Sequence, residues 1–379
     1  MIRVARRVCA LGTAAVIWRK SAPRTVVLVL ETRLGGLCAA AASCCFHGYA
    51  KMNARPQCTR RRALQTGVGI AGACLAAPRS LVAAASESDI EMEEGYAAVP
   101  GGRIYWRRFG SGRGTPLLLL HGGPGAAHNY LLSMAALGTD RPVIFYDQLG
   151  CGKADAPTDE GLYTVQRSVE ELDAVREGLG LERVSLFGHS WGSVLAIEYL
   201  CQGRGQGVEK LILSGALASV PQCSDGLQRL LSAMPGDLAQ KIHALEEAGR
   251  TGTPEYAALA QVFYDKHLLR VPPTADALAT FEALATSIAY RVMNGPSEFN
   301  IVGRIKDWDR RADLRAIGQD TLITTGEFDE ITLDCHETIR DGIGGRSRLV
   351  VMDGCSHLTM VEQPDAYNAL VRTFLATLG

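Results

Sequence analysis

Long apolar runs are missing from this chain of 379 residues. Val26–Leu30 and Val68–Ala77 are the obvious candidates, and both fall short of the roughly 20 residues a membrane-spanning helix needs. Cofactor and metal signatures are missing too. No GxGxxG or Walker loop follows an apolar run, and no HExxH-type pair occurs, so neither a nucleotide cofactor nor a bound metal is expected. Of the eleven cysteines, Cys151, Cys201, Cys223, Cys335 and Cys355 lie beyond residue 86. They are scattered, odd in number and without CxxC spacing, which excludes a disulfide scaffold and a zinc site and points to buried free thiols. Basic stripes are also wanting. The chain holds 39 Lys+Arg and 40 Asp+Glu; residues 1–85 contain thirteen basic residues and one acid, leaving 26 and 39, a net of −13, for the remainder. An acidic body argues against nucleic acid as a partner.

The basic first 85 residues do not read as fold. After Met52 come Thr59-Arg60-Arg61-Arg62, a weakly apolar stretch Val68–Ala77, and Ala83-Ala84-Ala85. A charged start, apolar middle and A-x-A end is the layout of an export signal, and the adjacent arginines resemble a bacterial twin-arginine signal. The expectation is a leader over 1–85, with Met52 as start and cleavage after Ala85, delivering the protein to the periplasm or outside. The alternatives are a cytoplasmic protein with a basic extension, or an organelle leader read from Met1.

From Glu91 onward short apolar runs alternate with helical spacing. Arg103–Phe109, Pro116–Leu120, Pro142–Tyr146, Arg183–Phe187, Lys210–Leu213, Thr321–Thr325 and Arg348–Met352 read as strands. Gln166–Leu179, Ser193–Leu200 and Ala366–Leu378 read as helices. Short runs without polar alternation are the mark of strands buried on both faces, and intervening helices make the sheet mostly parallel. The rhythm breaks over 218–311, which holds helical patterns at Leu227–Met234, Ala239–Ala248, Tyr256–Leu269 and Ala275–Met293. The expected organisation is an α/β core over 86–217 and 312–379 with a helical cap inserted at 218–311.

Between an apolar run and a helix stands Gly188-His189-Ser190-Trp191-Gly192, a GxSxG. A sharp strand-to-helix turn lifts a serine hydroxyl above a sheet, and glycines on either side tolerate the crowding. The next backbone N–H, that of Trp191, then faces the carbonyl oxygen under attack, supported by the start of a helix. A second oxyanion donor is expected from His121-Gly122-Gly123-Pro124-Gly125, which ends another strand; Gly123 N–H is the first choice and Gly122 the alternative. An acid and a histidine should follow later strands in that order. Asp329, in Gly326-Glu327-Phe328-Asp329-Glu330, and His357, in Asp353-Gly354-Cys355-Ser356-His357, both do. His336 follows Asp329 with no intervening strand and is set aside. The imidazole would take the serine proton and the carboxylate would hold its tautomer.

With Tyr146-Asp147-Gln148, Gly150-Cys151-Gly152, Met293-Asn294-Gly295-Pro296-Ser297-Glu298-Phe299 and Ile305-Lys306-Asp307-Trp308-Asp309 added, the chain resembles the proline iminopeptidase family of α/β-hydrolases over about residues 92–378, and within it the subgroup of the tricorn-interacting aminopeptidase. GxSxG is common; the MNGPxEF segment and the GExDE loop are far more specific. His189 departs from the small residue that many members carry there. The resemblance implies the α/β-hydrolase fold, no cofactor, and release of N-terminal residues, often proline, from short peptides. It further implies two acidic anchors for the substrate α-amino group, which map to Glu298 and Glu330. An L-amino-acid amidase would use the same anchors, whereas a small-ester hydrolase would need only the triad.

Overall fold

The computed structural model describes residues 90–377, plus a two-residue antiparallel pairing of Lys20–Ser21 with Thr25–Val26. The expected leader, its arginines and its cleavage point lie outside the described residues.

Eight strands form one sheet: β1 (Met92–Val99), β2 (Gly102–Phe109), β3 (Leu117–Leu120), β4 (Val143–Asp147), β5 (Val184–His189), β6 (Val208–Ser214), β7 (Asp320–Gly326) and β8 (Ser347–Met352). Their order is β8-β7-β6-β5-β3-β4-β2-β1. The first six in that order run parallel; β2 pairs antiparallel with β4, and β1 with β2. The continuous apolar runs have the physical cause expected of them: β3, β4 and β5 are buried at every position. Because side chains alternate across a strand, each run serves two cores. Leu118, Leu120, Ile144 and Leu186 face one side of the sheet, and Leu117, Leu119, Val143 and Phe187 the other.

Helices α1 (Val165–Gly178) and α2 (Trp191–Cys201) pack on the first face; α10 (Pro364–Ala376) packs on the second, where Tyr367 and Val371 are wholly buried. The 3₁₀ segment His128–Thr139 lies on that second face as well. Between β7 and β8 runs α8 (Leu333–Gly342), and α9 (Thr359–Glu362) precedes α10.

Between β6 and β7 the chain builds α3 (Val220–Ser232), α4 (Leu238–Glu247), α5 (Pro254–His267), α6 (Ala275–Ala285) and α7 (Ile288–Met293). It leaves and rejoins the sheet layer at one place: Val220 N–H donates to the Trp308 carbonyl at 2.8 Å, and Arg310 N–H to that of Ala218 at 2.8 Å. The single helix expected over Ala275–Met293 is two. Thr286 and Ser287 break it, and the Ser287 hydroxyl caps α7 by accepting from Tyr290 N–H at 3.2 Å. An unpaired N–H group at a helix start is satisfied this way, so the break is built into the sequence. Helices α3, α4, α5 and α7 share an apolar core with Trp191 and Val194 of α2, which seats them over the carboxyl ends of the strands, where sites gather in such sheets. Helix α6 packs through Ala277 into the core of the second face.

Candidate active site

Ser190 sits at the tip of β5 with φ 53° and ψ −120°, and among the described residues no other non-glycine has a positive φ. Sparsely populated backbone persists only where packing forces it. Here the forcing contacts belong to the flanking glycines: a Cβ on Gly192 would stand 2.0 Å from the Leu120 carbonyl oxygen, and one on Gly188 2.4 Å from that of Gly192. The elbow therefore presses α2 against the end of β3.

The acid and the histidine arrive from the ends of β7 and β8. His357 Nδ1 lies 2.7 Å from Asp329 Oδ1. Asp329 is itself held by Ile331 N–H at 2.9 Å and the Thr325 hydroxyl at 3.0 Å. Both side chains are buried. Burial opposes ionisation of Asp329, but the charge and hydrogen bond of His357 outweigh it and hold the carboxyl down at about 2. Burial likewise disfavours the imidazolium of His357; Asp329 and Glu330 overcome this and raise it to about 9. Gly215 is required underneath, because a Cβ there would lie 2.6 Å from the imidazole ring. His336 is spent elsewhere: its Nε2 accepts from Ala216 N–H at 2.8 Å and its Nδ1 lies 3.2 Å from the Thr332 carbonyl.

Of the two glycines considered as oxyanion donors, Gly122 is already committed, since its N–H donates to the Tyr130 hydroxyl at 2.8 Å. Gly123 lines the cavities beside Ser190, and Trp191 opens α2, where the first N–H groups have no partner within the helix. The Trp191 indole N–H donates to the Gln148 side-chain oxygen at 2.8 Å, and Gln148 N–H donates to His121 Nε2 at 3.0 Å. The glycine loop and the elbow are thus tied to the end of β4.

A second network escaped the sequence reading. Tyr130 Oη lies 2.8 Å from His189 Nδ1, and His189 Nε2 lies 3.1 Å from the His357 carbonyl. A carbonyl can only accept, so Nε2 carries the proton, Nδ1 accepts from Tyr130, and Tyr130 accepts from Gly122. That ordering requires a neutral His189, and burial together with neighbouring His357 lowers its pKa to about 3. One chain of bonds therefore links the Gly122–Gly123 loop, the elbow and the backbone of His357. Tyr130→Phe is expected to strip partners from two buried groups, lowering stability by about 1–3 kcal/mol. With the loop loosened, kcat should fall roughly tenfold at nearly constant KM, less than the loss of a direct oxyanion donor. Denaturant unfolding and steady-state kinetics on the variant check this; unchanged values in both would make the network idle.

Glu298 and Glu330 come from opposite sides. Glu298 follows α7 in a turn made by Asn294, whose side chain donates to the Ser297 carbonyl at 3.0 Å and whose own carbonyl accepts from Gly303 N–H at 2.7 Å. Its carboxylate accepts from the Tyr290 hydroxyl at 2.7 Å, and its N–H donates to that of Tyr264 at 3.3 Å. Glu330 is buried in the loop after β7, with Oε1 3.7 Å from His357 Nε2 and Oε2 without a partner. Burial raises the pKa of both, that of Glu330 well above the ordinary range. Both line two adjoining cavities that meet at Ser190 and Gly123. The walls of the first are mainly apolar, from Val220, Leu227, Ile301 and Ile305 among others.

Residues 117–370 match the model of the Alpha/beta hydrolase family. The chain is 39% identical over 290 residues to the proline iminopeptidase of Saccharolobus solfataricus, covering 76% of this chain and 93% of that protein. Among solved structures it is similar to VinJ, with a TM-score of 0.73 and 32% identity over 76% of this chain and 99% of the other. It is also similar to the proline iminopeptidase of Mycobacterium smegmatis, with a TM-score of 0.67 and 34% identity over 75% and 97%. Sheet order, family match and these identities agree: the chain belongs to the proline iminopeptidase family of α/β-hydrolases and is a hydrolase of the peptidase kind.

Proposed function

We propose that the protein is a serine aminopeptidase that releases the N-terminal residue, proline among them, from short peptides through an acyl-enzyme. Ser190 Oγ attacks the carbonyl of the first residue while His357 Nε2 takes its proton. The Gly123 and Trp191 N–H groups receive the developing oxyanion, and the imidazolium protonates the departing amine. Water then repeats the sequence on the ester. The observation that carries the reading is the pair of acids at the cavity wall. Among the described residues no Lys or Arg pairs with Glu298 or Glu330. The positive group that faces them is the His357 ring, which the reaction needs as a neutral base, and buried carboxylates without a cation are costly. A substrate α-ammonium group supplies that cation and places the first carbonyl over Ser190. An ester hydrolase has no use for such a pair; an amino-acid amidase does.

Steady-state rates on aminoacyl-arylamides, dipeptides, amino-acid amides and simple esters test the assignment. Free-amine arylamides and peptides should lead the series. Simple esters leading it would demote the acids to structural residues, and amides leading it would make the enzyme an amidase.

The pH dependence on an uncharged ester follows from His357. The base works only when neutral, and its pKa in the empty site is raised to about 9. The ester kcat/KM, which reports the free enzyme, should therefore climb through neutral pH and level off only near that value. A plateau already reached at pH 6 would contradict the assignment of His357.

A further inference from the structure

The contact between Glu330 and His357 is not needed to anchor an ammonium group. Glu330 Oε1 is 3.7 Å from His357 Nε2, the very nitrogen that has to accept the Ser190 proton. Nδ1 is already engaged by Asp329 at 2.7 Å, and among the described residues Ser190 Oγ makes no hydrogen bond to the ring. The second oxygen of Glu330 is buried with nothing to bond. In the empty site, then, Nε2 has the Glu330 carboxylate beside it and makes no hydrogen bond to the serine.

We propose that the substrate's α-ammonium group switches on the base: by pairing with Glu330 and Glu298 it removes the carboxylate that competes with Ser190 for His357 Nε2. The proposal rests on the ammonium-anchor reading and adds a catalytic consequence to it. Selection for a free N-terminus is then exerted on the chemical step as well as on binding.

The electrostatics have the right sign. Asp329 and Glu330 face His357 from the loop after β7, and Glu298 faces it from the turn after α7. On the remaining sides stand His189 of the elbow and His336 of α8, both kept neutral because burial depresses their pKa values. Burial works against ionisation of Glu298 and Glu330 and the positive His357 ring works for it, so in the empty site ring and carboxylate hold each other charged, with Nε2–H toward Glu330. When an ammonium group enters, it brings one positive charge into this water-poor cluster. The cluster gives up one proton, from His357 Nε2 to solvent, and its net charge is unchanged. Nε2 then offers a lone pair, and the Ser190 hydroxyl is free to donate to it. A substrate without the charge leaves the ring protonated at neutral pH.

The test is an NMR titration of histidine Cε1–H resonances in Ser190→Ala protein, with the His357 signal assigned by its loss in Ser190→Ala/His357→Gln. The probes are L-prolinol and L-leucinol, amino alcohols with no cleavable carbonyl, at saturation. Their uncharged counterparts, cyclopentylmethanol and isoamyl alcohol, serve as controls. The amino alcohols should lower the His357 midpoint by about one unit or more, and the plain alcohols should leave it in place. Adding Glu330→Gln should lower the midpoint of the empty protein and abolish the further response. If the amino alcohols bind, as judged by perturbed resonances that depend on Glu298, and the His357 midpoint stays put, the switch is wrong while the anchor survives. If they do not bind at all, the anchor itself fails and the switch with it.

Discussion

Ser190→Ala should lower kcat by about 10⁴-fold or more, and His357→Ala by a comparable factor, because the two act as one unit. The double variant should be little slower than either single one. The structure makes this a clean comparison. Alanine keeps the Cβ that already tolerates φ 53° at the elbow, so nothing new is strained, and the Asp329 bonds to Thr325 and Ile331 do not involve residue 190. Gly123 and Trp191 keep their N–H groups in both variants, which accounts for a residual rate above that of water. Rates on a free-amine arylamide, with circular dichroism to confirm the fold, decide the matter. Wild-type turnover by purified Ser190→Ala would remove Ser190 from the chemistry.

Much of this architecture is legible in the sequence, and the exceptions have identifiable causes. Strands β3, β4 and β5 are buried at every position and appear as short, mainly apolar runs. Strand β7 is interrupted by threonines, and β8 is an edge strand with Arg348 and Val351 exposed. Both keep enough apolar residues to be placed, and the loops carrying Ser190, Asp329 and His357 follow β5, β7 and β8. Strand β1 is hard to see because it is an outer strand with most of its residues exposed, and its apolar residues, Tyr96-Ala97-Ala98-Val99, are confined to its second half and are mostly small. The break between α6 and α7 was missed because helical apolar spacing continues through Thr286-Ser287; only the capping role of Ser287 betrays it. The sequence ranks Gly123 ahead of Gly122 as a donor but carries no sign of Tyr130, which engages the Gly122 N–H from eight residues away. Tyr264 and Tyr290 support Glu298 through single hydroxyls, and isolated tyrosines in a helical segment give no signal of such a role.

Blocking the substrate amine should cost roughly 10²-fold or more in kcat/KM, and Glu298→Gln should reproduce much of that loss on free-amine substrates. Glu330 is almost entirely enclosed and Glu298 partly so; burial raises the pKa of both, and a positive charge beside them works against this and favours the carboxylates. An acetylated N-terminus brings no charge and carries a bulky acyl group into the space where the carboxylates expect a cation, so it loses both the attraction and the fit. Glutamine at 298 preserves the acceptor for the Tyr290 hydroxyl and nearly the same volume, which confines the change to one negative charge. A neutral ester such as nitrophenyl acetate is the internal control: it needs Ser190, Asp329 and His357 but has no ammonium group to hold, and Glu298→Gln should damage its hydrolysis far less. At neutral pH any loss in that ester rate is further offset, since one of the carboxylates that keeps His357 protonated is gone. Equal cleavage of acetylated and free-amine arylamides by the wild-type enzyme would leave Glu298 and Glu330 as structural acids and the specificity to the cavity walls alone.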